Sequence, residues 1–190
     1  MRKIIFSIPI TLDGYIEGPH RELNWVVAYD ELHDYAAQLL ESGDLLIYGR
    51  VTYELMASYW PKTPSDPNAT ESMKRFANTL NPMRKIVYSK TLANVGWNTQ
   101  VKQTFNPKEI QAMKTQPGGN ILLSGGASMA QEFINQHLVD EYQLVVQPVV
   151  IGEGKSLFKG ITDMQKLDFQ WSRKFTSGAV ALCYRVEGIT

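Results

Sequence analysis

The sequence predicts an α/β fold built on a mixed, mostly parallel β-sheet. Strand-like and helix-like segments alternate from the N-terminus to about residue 150, which is the pattern of βα units. Two strand-like segments then follow each other around Ser177 and Gly178, which predicts a C-terminal β-hairpin. The chain has 190 residues and no repeat, low-complexity tract or linker. We therefore expect a single domain over residues 1–190.

Composition and charge exclude several classes of protein. Lys+Arg and Asp+Glu each number 19, and this balance argues against nucleic-acid-binding and membrane-surface proteins. No segment approaches the ~20 apolar residues of a membrane span. The single cysteine excludes an internal disulfide framework, and the three histidines show no metal-ligand spacing. We therefore expect a cytoplasmic protein that binds a small molecule and has no metal site.

Short apolar segments rich in β-branched residues predict buried strands as far as residue 150. These strands cover residues 3–8, 45–48, 85–88, 121–123 and 142–150. Amphipathic patterns and capping residues predict helices between them. These helices cover residues 30–42, 51–59, 70–80, 106–116 and 127–137. Side chains expected inward on the last helix include His137. The hairpin strands are predicted at 167–175 and 179–186.

Local signals mark where several of these helices begin and end. Glycine follows Ser42, where the first helix is expected to stop. Thr70 is predicted to cap the third helix through its hydroxyl. Asn106 and Pro107 place a capping side chain before a proline at the first helical position. Three prolines between positions 61 and 67 predict a loop.

Two predicted strand-to-helix junctions carry glycine. The first contains Gly49, Arg50 and Thr52, and the second runs Ser124-Gly125-Gly126-Ala127-Ser128. The first turn of a helix has unpaired N–H groups and a partial positive charge, so it favours an anion such as phosphate. Glycine lets a phosphate approach because it has no Cβ. Arg50, Thr52 and Ser128 add side-chain donors.

The alternative is that these glycines only allow tight turns, which is the more common explanation for one junction alone. Two such junctions in one α/β domain favour a dinucleotide whose phosphates span both. Neither junction matches the Rossmann fingerprint Gly-x-Gly-x-x-Gly or the phosphate loop Gly-x-x-x-x-Gly-Lys-Ser/Thr. A standard Rossmann dehydrogenase and a P-loop kinase are therefore both disfavoured.

Five segments, in this order and spacing, give the chain a family resemblance. They are Thr11-Leu12-Asp13-Gly14-Tyr15-Ile16 with Asn24-Trp25, Gly49-Arg50-Val51-Thr52-Tyr53-Glu54, Pro82-Met83-Arg84-Lys85-Ile86-Val87-Tyr88-Ser89, Ser124-Gly125-Gly126-Ala127-Ser128, and Val139-Asp140-Glu141-Tyr142 leading to Pro148-Val149-Val150-Ile151-Gly152. Over almost its whole length the sequence resembles the dihydrofolate-reductase-like superfamily. More closely, it resembles stand-alone relatives of the reductase domain of the bacterial riboflavin-biosynthesis deaminase–reductase.

The resemblance implies an NADPH-dependent reductase on a dihydrofolate-reductase-like three-layer αβα sandwich. It also implies that both glycine junctions hold the cofactor phosphates, through Gly49, Arg50, Thr52, Ser124, Gly125, Gly126, Ala127 and Ser128. The adenosine 2′-phosphate is expected at Ser89 and Lys90, where a cation suits the extra phosphate of NADPH. The alternative for Lys90 is a solvated loop lysine. A cis peptide bond is expected between Gly125 and Gly126.

The resemblance places the nicotinamide and substrate pocket at the end of the first strand. Its expected residues are Ser7, Ile8, Pro9, Asp13 and Trp25. Asp30 lies at the distance from the tryptophan where folate reductases keep a carboxylate that helps protonate the pterin. That role would suit a partly buried carboxyl with a raised pKa. The alternatives are structural: a first-turn helix acid for Asp30 and a turn acid for Asp13.

Departures from the family enzymes narrow the expected reaction. The zinc deaminase signature, His-x-Glu with Pro-Cys-x-x-Cys, is absent from the chain. The expected function is reduction of a pyrimidine, such as 5-amino-6-(5-phosphoribosylamino)uracil, or of a pterin or folate. The alternative is a non-catalytic dinucleotide-binding module that acts as a sensor or assembly partner. The relatives imply a homodimer, in which the two late strands pair or pack.

Overall fold

The computed structural model describes residues 1–27, 30–93 and 95–188. Its strands are β1 (Ile4–Thr11), β2 (Tyr15–Glu17), β3 (Gly43–Gly49), β4 (Arg84–Tyr88), β5 (Thr99–Lys102), β6 (Asn120–Leu123), β7 (Glu141–Gln147), β8 (Lys155–Ser156), β9 (Leu167–Lys174) and β10 (Val180–Val186). Its helices are α1 (Asp30–Glu41), α2 (Arg50–Tyr59), α3 (Glu71–Leu80), α4 (Pro107–Thr115) and α5 (Ala127–Asn135), with a 3₁₀ turn at Thr63–Ser65. None of the described helices has the length and apolar character that crossing a membrane requires.

Eight strands form the central sheet in the order β5-β4-β3-β6-β1-β7-β10-β9. Strands from β5 to β7 in this order run parallel to their neighbours. β10 pairs antiparallel with both β7 and β9. The separate pair β2 and β8 forms a two-stranded sheet. The predicted mixed, mostly parallel sheet with a C-terminal hairpin is therefore confirmed.

Helices cover both faces of this sheet and give the three expected layers. On one face, Phe6 of β1 shares a buried cluster with Phe133 of α5. On the other face, Leu46 of β3 shares a cluster with Leu40 of α1 and Leu80 of α3. Because a parallel sheet covered on both faces buries consecutive residues, its strands are continuous apolar runs rather than alternating ones. The four residues 45–48 of β3 are all buried.

The predicted helix starts at Thr70 and Asn106 are confirmed in their geometry. The Thr70 side chain accepts a hydrogen bond from Met73 N at 3.3 Å. The Asn106 side chain accepts one from Lys108 N at 3.1 Å, and Pro107 occupies the first turn. Each cap pairs a first-turn N–H and contributes about 1 kcal/mol to helix stability.

The structure also corrects several element boundaries. β2, β5 and β8 were not predicted, because such short segments give no strand pattern before their pairing partners are known. β7 ends at Gln147 rather than at residue 150, and a proline follows it. α5 ends at Asn135, and His137 has a left-handed φ of 51°. The inward position predicted for His137 is wrong, since its side chain is exposed.

Candidate functional site

The two glycine junctions lie side by side at the carboxyl end of the parallel strands. They follow β3 and β6, which are neighbours in the sheet. A Cβ built on Gly125 would lie 3.6 Å from the backbone N of Gly49 and 3.0 Å from the Cβ of Met129. A Cβ on Gly126 would lie 3.6 Å from the Oγ1 of Thr52. The fold therefore joins the two predicted junctions into one cradle, which we call the glycine cradle, formed by residues 49–52 and 124–128.

The two helices that begin in the glycine cradle have no side-chain caps. Gly49 is the N-cap residue of α2 and Gly126 is that of α5, and neither helix has a side-chain hydrogen bond at its cap. By contrast, side chains of Thr70 and Asn106 cap α3 and α4. The first-turn N–H groups of α2 and α5 therefore keep their donor capacity, and two positive helix ends lie together. A diphosphate has two anionic groups that match this arrangement.

Three side chains of the glycine cradle add polar groups around these amides. The guanidinium of Arg50 is partly exposed, and its Nη1 donates to Glu54 Oε2 at 2.8 Å. Such an exposed ion pair contributes less than ~1 kcal/mol to stability. An anionic ligand can therefore replace Glu54 as the partner of Arg50 at a low cost in free energy. Thr52 is half-buried and Ser128 is exposed. Thr52 lies where the two helix ends meet, since its Oγ1 is 3.6 Å from the Cβ position of Gly126.

The remaining cradle residues have structural contacts. The N–H of Ser124 donates to the carbonyl of Ile47 at 3.0 Å, which extends the β3–β6 pairing. Ala127 is the first residue of α5 and is fully buried. The described residues contain no cis peptide bond, so the cis bond expected between Gly125 and Gly126 is wrong. Gly126 instead has an extended conformation, with φ −64° and ψ 171°, and turns the chain directly into α5.

Ser89 and Lys90 follow β4, the next strand beyond β3. The Oγ of Ser89 accepts hydrogen bonds from Thr91 N at 3.2 Å and Leu92 N at 3.0 Å. The Ser89 hydroxyl therefore shapes this turn and keeps its own proton for a further acceptor. The Lys90 side chain is exposed. Both residues lie at the same sheet end as the glycine cradle, and their contact with a 2′-phosphate stays a prediction.

Ser7, Ile8 and Pro9 are half-buried residues in the middle of β1. Their strand lies next to β6 and ends at the same side of the sheet as the glycine cradle. Trp25 is half-buried, and its Nε1 donates to the carbonyl of Glu22 at 3.1 Å. This hydrogen bond fixes the indole within the loop that follows β2. The pocket expected from these residues at the end of β1, and its contact with a ligand, stay predictions.

Asp13 holds two loops together beside that strand end. Its carboxylate accepts N–H bonds from Ile151 at 3.1 Å and Gly152 at 2.8 Å. A hydrogen bond from the Thr11 side chain, followed by these amides, lowers the pKa of Asp13. The carboxylate thus connects the turn after β1 to the loop after β7. These contacts agree with the alternative that Asp13 is a turn acid with a structural role.

Asp30 is exposed at the first position of α1. Its Oδ1 accepts hydrogen bonds from Ser72 Oγ at 2.5 Å and Thr70 Oγ1 at 2.7 Å. These two hydroxyls lower the pKa of Asp30, so the expectation of a raised pKa is wrong. No sequence signal indicated that Thr70 and Ser72, at the start of α3, would supply hydroxyl donors to this carboxylate. The contacts favour the first-turn acid alternative, and a catalytic role for Asp30 stays a prediction.

Two buried polar groups at the carboxyl end of the sheet were missed by the sequence analysis. The hydroxyl of Tyr88 and the Nε2 of Gln147 are buried and have no hydrogen-bond partner among the described residues. The Oε1 of Gln147 accepts from Val27 N at 3.1 Å and anchors the segment that leads towards α1. No sequence signal identifies such groups, because their isolation depends on tertiary packing. The described part of the chain has no cluster of potential metal ligands.

Comparison with known proteins gives a consistent result over nearly the whole chain. Residues 2–181 match the family model described as the RibD C-terminal domain. The Bacillus subtilis (strain 168) "Uncharacterized protein YyaP" is 33% identical over 187 residues, which cover 98% of this chain and 96% of that protein.

Two solved structures show the same fold at low sequence identity. A "Putative riboflavin biosynthesis protein" from Shewanella sp. PV-4 is 20% identical with a TM-score of 0.76, covering 97% of this chain and 99% of that one. The dihydrofolate reductase of Enterococcus faecalis, complexed with NADP(H), is 15% identical with a TM-score of 0.61, covering 97% of this chain and 96% of that one. The dihydrofolate-reductase-like fold expected from the sequence is confirmed.

Proposed function

Because the chain belongs to the RibD C-terminal domain family, we propose that it is a reductase that transfers a hydride from NADPH to a small heterocycle. The substrate class is a pyrimidine, such as 5-amino-6-(5-phosphoribosylamino)uracil, or a pterin or folate. The observation that carries the proposal is the glycine cradle, in which two uncapped helix N-termini lie side by side. The proposed site of action is the cytoplasm, where the buried thiol of Cys183 would stay free.

The residues of the glycine cradle fit a dinucleotide diphosphate. A methyl group on Gly125 would crowd Met129, and one on Gly126 would approach Thr52, so glycine keeps the space above the amides clear. The amides of both first turns and the hydroxyl of Ser128 are donors towards that space, and Arg50 supplies the cation. These groups would hold the diphosphate, with Ser89 and Lys90 along the adenosine half.

NADPH, when bound, supplies the hydride, so the protein contributes binding, orientation and exclusion of water. The half-buried residues Ser7, Ile8 and Pro9 would form the wall on which the reacting rings lie. Asp13 fixes the two loops beside this wall through the amides of residues 151 and 152. Trp25, in the loop after β2, would close the pocket.

A second function is favoured by one specific observation. The carboxylates of Asp13 and Asp30 both have lowered pKa values, so both are ionised at neutral pH and neither is an acid there. A non-catalytic dinucleotide-binding module, serving as a sensor or assembly partner, needs the glycine cradle but no proton donor. The two functions share the binding step and differ in turnover.

Two measurements separate these functions. Titration of the purified protein with NADPH, followed by tryptophan fluorescence, tests the binding step. A screen of pyrimidine, pterin and folate substrates, followed by the absorbance of reduced nicotinamide, tests turnover. The reductase proposal predicts binding and oxidation of NADPH with at least one substrate class. Binding without oxidation throughout the screen would favour the module, and absence of binding would contradict both.

We also propose that the protein is a homodimer joined along β9, the edge strand of the sheet. Phe169 and Trp171 on this strand are 59% and 36% exposed, and an edge strand with unpaired backbone groups readily pairs with another strand. An antiparallel two-fold pairing centred between residues 170 and 171 places Asp168 of each copy opposite Arg173 of the other. Light scattering should show a dimer, and Trp171→Pro should yield monomers. A monomeric wild-type protein would contradict this arrangement.

A further inference from the structure

A second cleft lies on the face of the sheet that α1 covers. It has a volume of about 440 Å³, which is within the range of roughly 300–1,000 Å³ of small-molecule sites. None of its described lining residues belongs to the glycine cradle or to the pocket expected at the end of β1. We call it the α1 cleft, and the side chains that line it include Lys3, Tyr35, Glu141, Gln143, Trp171 and Arg173. A ligand there would be separate from the coenzyme and the substrate of the proposed function.

A buried chain of hydrogen bonds forms the floor of the α1 cleft and ends on a carboxylate. Tyr35 OH donates to Gln143 Oε1 at 2.7 Å, and Gln143 Nε2 donates to Glu141 Oε1 at 2.7 Å. All three residues are only 7% or 8% exposed. Because each side chain is held by the next, the Glu141 carboxylate has a fixed orientation, as a binding site requires.

The Glu141 carboxylate is less completely compensated than that of the neighbouring Asp140. Lys114 Nζ and Ile4 N each lie 2.7 Å from an oxygen of Asp140. Among the described residues, Lys3 is the one cation that pairs with Glu141. Its Nζ lies 3.4 Å from Oε2, and its side chain is 45% exposed. Since a buried charge needs close partners, Oε2 has capacity for a donor that enters the cleft.

Two further groups lie near Glu141 and leave this capacity open. Arg185 is the direct partner of Glu141 across β7 and β10, but the two side chains form no ion pair among the described residues. The thiol of Cys183 lies beside the carboxylate, and burial together with the charge of Glu141 raises the pKa of Cys183 to about 12. A thiol is only a weak donor. It therefore does not replace an ammonium group as the partner of Oε2.

Aromatic and cationic side chains form the walls of the α1 cleft. Trp171 is 36% exposed, and its ring meets the ring of Tyr35 edge to face at a centroid distance of 6.3 Å. An aromatic ligand can pack against the exposed part of this indole. The two cations Lys3 and Arg173 and the one carboxylate give the lining a net charge of +1. A ligand that carried only positive charge would therefore be disfavoured.

We propose that the α1 cleft binds a free aromatic α-amino acid. The ammonium and the carboxylate of such a molecule are attached to one carbon atom, so they fit beside an anion and a cation that lie close together. The ammonium would donate to Glu141 Oε2, and the carboxylate would accept from Lys3 Nζ. The aromatic side chain would then pack against Trp171. A simple amine or a simple acid matches only one of the two charges.

Calorimetry on the full chain with L-phenylalanine, L-tyrosine and L-tryptophan tests the proposal. The tightest of the three is then compared with two analogues, the amine that lacks its carboxylate and the acid that lacks its ammonium. The amino acid should bind about tenfold more tightly than either analogue, because each analogue loses one charge-assisted contact. Absence of binding for all three amino acids at millimolar concentration would overturn the proposal. An analogue that binds as tightly as the amino acid would overturn it as well.

Variants with matched controls locate the ligand. Glu141→Gln should weaken the amino acid about tenfold, and Trp171→Ala should weaken it about fivefold. Glu71→Gln is the control for the first, because it changes an exposed carboxylate on α3. Phe169→Ala is the control for the second, because it removes another exposed aromatic ring from β9. Both controls should leave the affinity unchanged, and variants that behave like their controls would overturn the proposal.

Lys3→Gln separates ligand binding from a merely structural role of these side chains. The ammonium of Lys3 attracts the ligand carboxylate and repels an amine, so its loss should lower the preference for the amino acid over the amine. An unchanged preference would overturn the proposal. If Glu141→Gln does not fold, this preference decides. None of these variants changes the glycine cradle, so a failure here leaves the proposed function in place.

Discussion

The two ends of the central sheet differ in how their polar groups are paired. At the amino end, Lys114 Nζ lies 2.7 Å from Asp140 Oδ1, with both side chains more than nine-tenths buried. The other oxygen of Asp140 accepts from Ile4 N at 2.7 Å. Lys85 Nζ donates to three backbone carbonyls near the end of α3 and lies 4.3 Å from the ring centre of Trp97. Buried charges at this end therefore have partners within the chain.

At the carboxyl end several donors have no partner among the described residues. The first turns of α2 and α5 have no side-chain cap, and the Tyr88 hydroxyl is unpaired among the described residues. Pairing within the chain lowers the free energy of the folded state, whereas unpaired donors are available to a ligand. We infer from this difference that the amino end stabilises the fold, and the proposed function assigns ligand binding to the carboxyl end. Substitutions at the two ends should therefore change different measurements.

The largest expected effect is at the amino end. Lys114→Met would leave Asp140 buried with its charge uncompensated, which typically costs about 3–5 kcal/mol of unfolding free energy. Denaturant unfolding measures this loss. Lys74→Met is the matched control, since Lys74 pairs with the exposed Glu71 and such pairs contribute about 0–1 kcal/mol. Folded Lys114→Met protein should bind NADPH as wild type does. A large loss of affinity with unchanged stability would contradict the different roles given to the two ends of the sheet.

The next effect is at the carboxyl end and concerns binding. In Gly125→Ala the new Cβ would lie 3.0 Å from Met129 Cβ, so Met129 and the first turn of α5 must move to make room for it. We expect NADPH affinity to fall about thirtyfold, or about 2 kcal/mol, measured by calorimetry. Gly96→Ala is the control, because a Cβ at Gly96 meets no atom within 4 Å. Equal affinity in both variants would argue against the glycine cradle as the binding site.

Arg50→Ala should have a smaller effect on the same measurement. Loss of one charge-assisted contact to phosphate corresponds to about tenfold in affinity. Stability should change by less than about 1 kcal/mol, because the Arg50–Glu54 pair is exposed. Arg75→Ala removes a comparable exposed pair, with Asp34, and should leave affinity unchanged. Similar affinities for the two variants would show that Arg50 has no part in binding.

The smallest effect is expected for Asp30→Asn. The hydroxyls of Ser72 and Thr70 lower the pKa of Asp30 in the folded state, so its stabilising contribution is present above its unfolded pKa of about 4. That contribution is lost as the pH falls through the folded pKa. Asp30→Asn should remove this part of the loss of stability at acid pH, which thermal unfolding measures. It should change turnover by less than about threefold. A hundredfold loss of turnover would instead indicate that Asp30 helps to protonate the substrate.

The features predicted from the sequence are those governed by local signals. Glycine at positions 49 and 126 and capping side chains at 70 and 106 act within one turn of chain, so the helix starts were predictable. β5 was missed because Thr99–Lys102 is polar and becomes a strand only through pairing with β4. The unpaired hydroxyl of Tyr88 and the hydroxyl contacts of Asp30 depend on segments far apart in sequence. The candidate site was thus predictable in its backbone and not in its buried polar contacts.

Backbone amide shifts measured by NMR during titration with NADPH test the central claim most directly. If the two helix N-termini hold the diphosphate, the amides of residues 50–52 and 126–128 should show the largest shifts, together and with one dissociation constant. Shifts confined to other parts of the chain, with both first turns unchanged at saturation, would contradict the account.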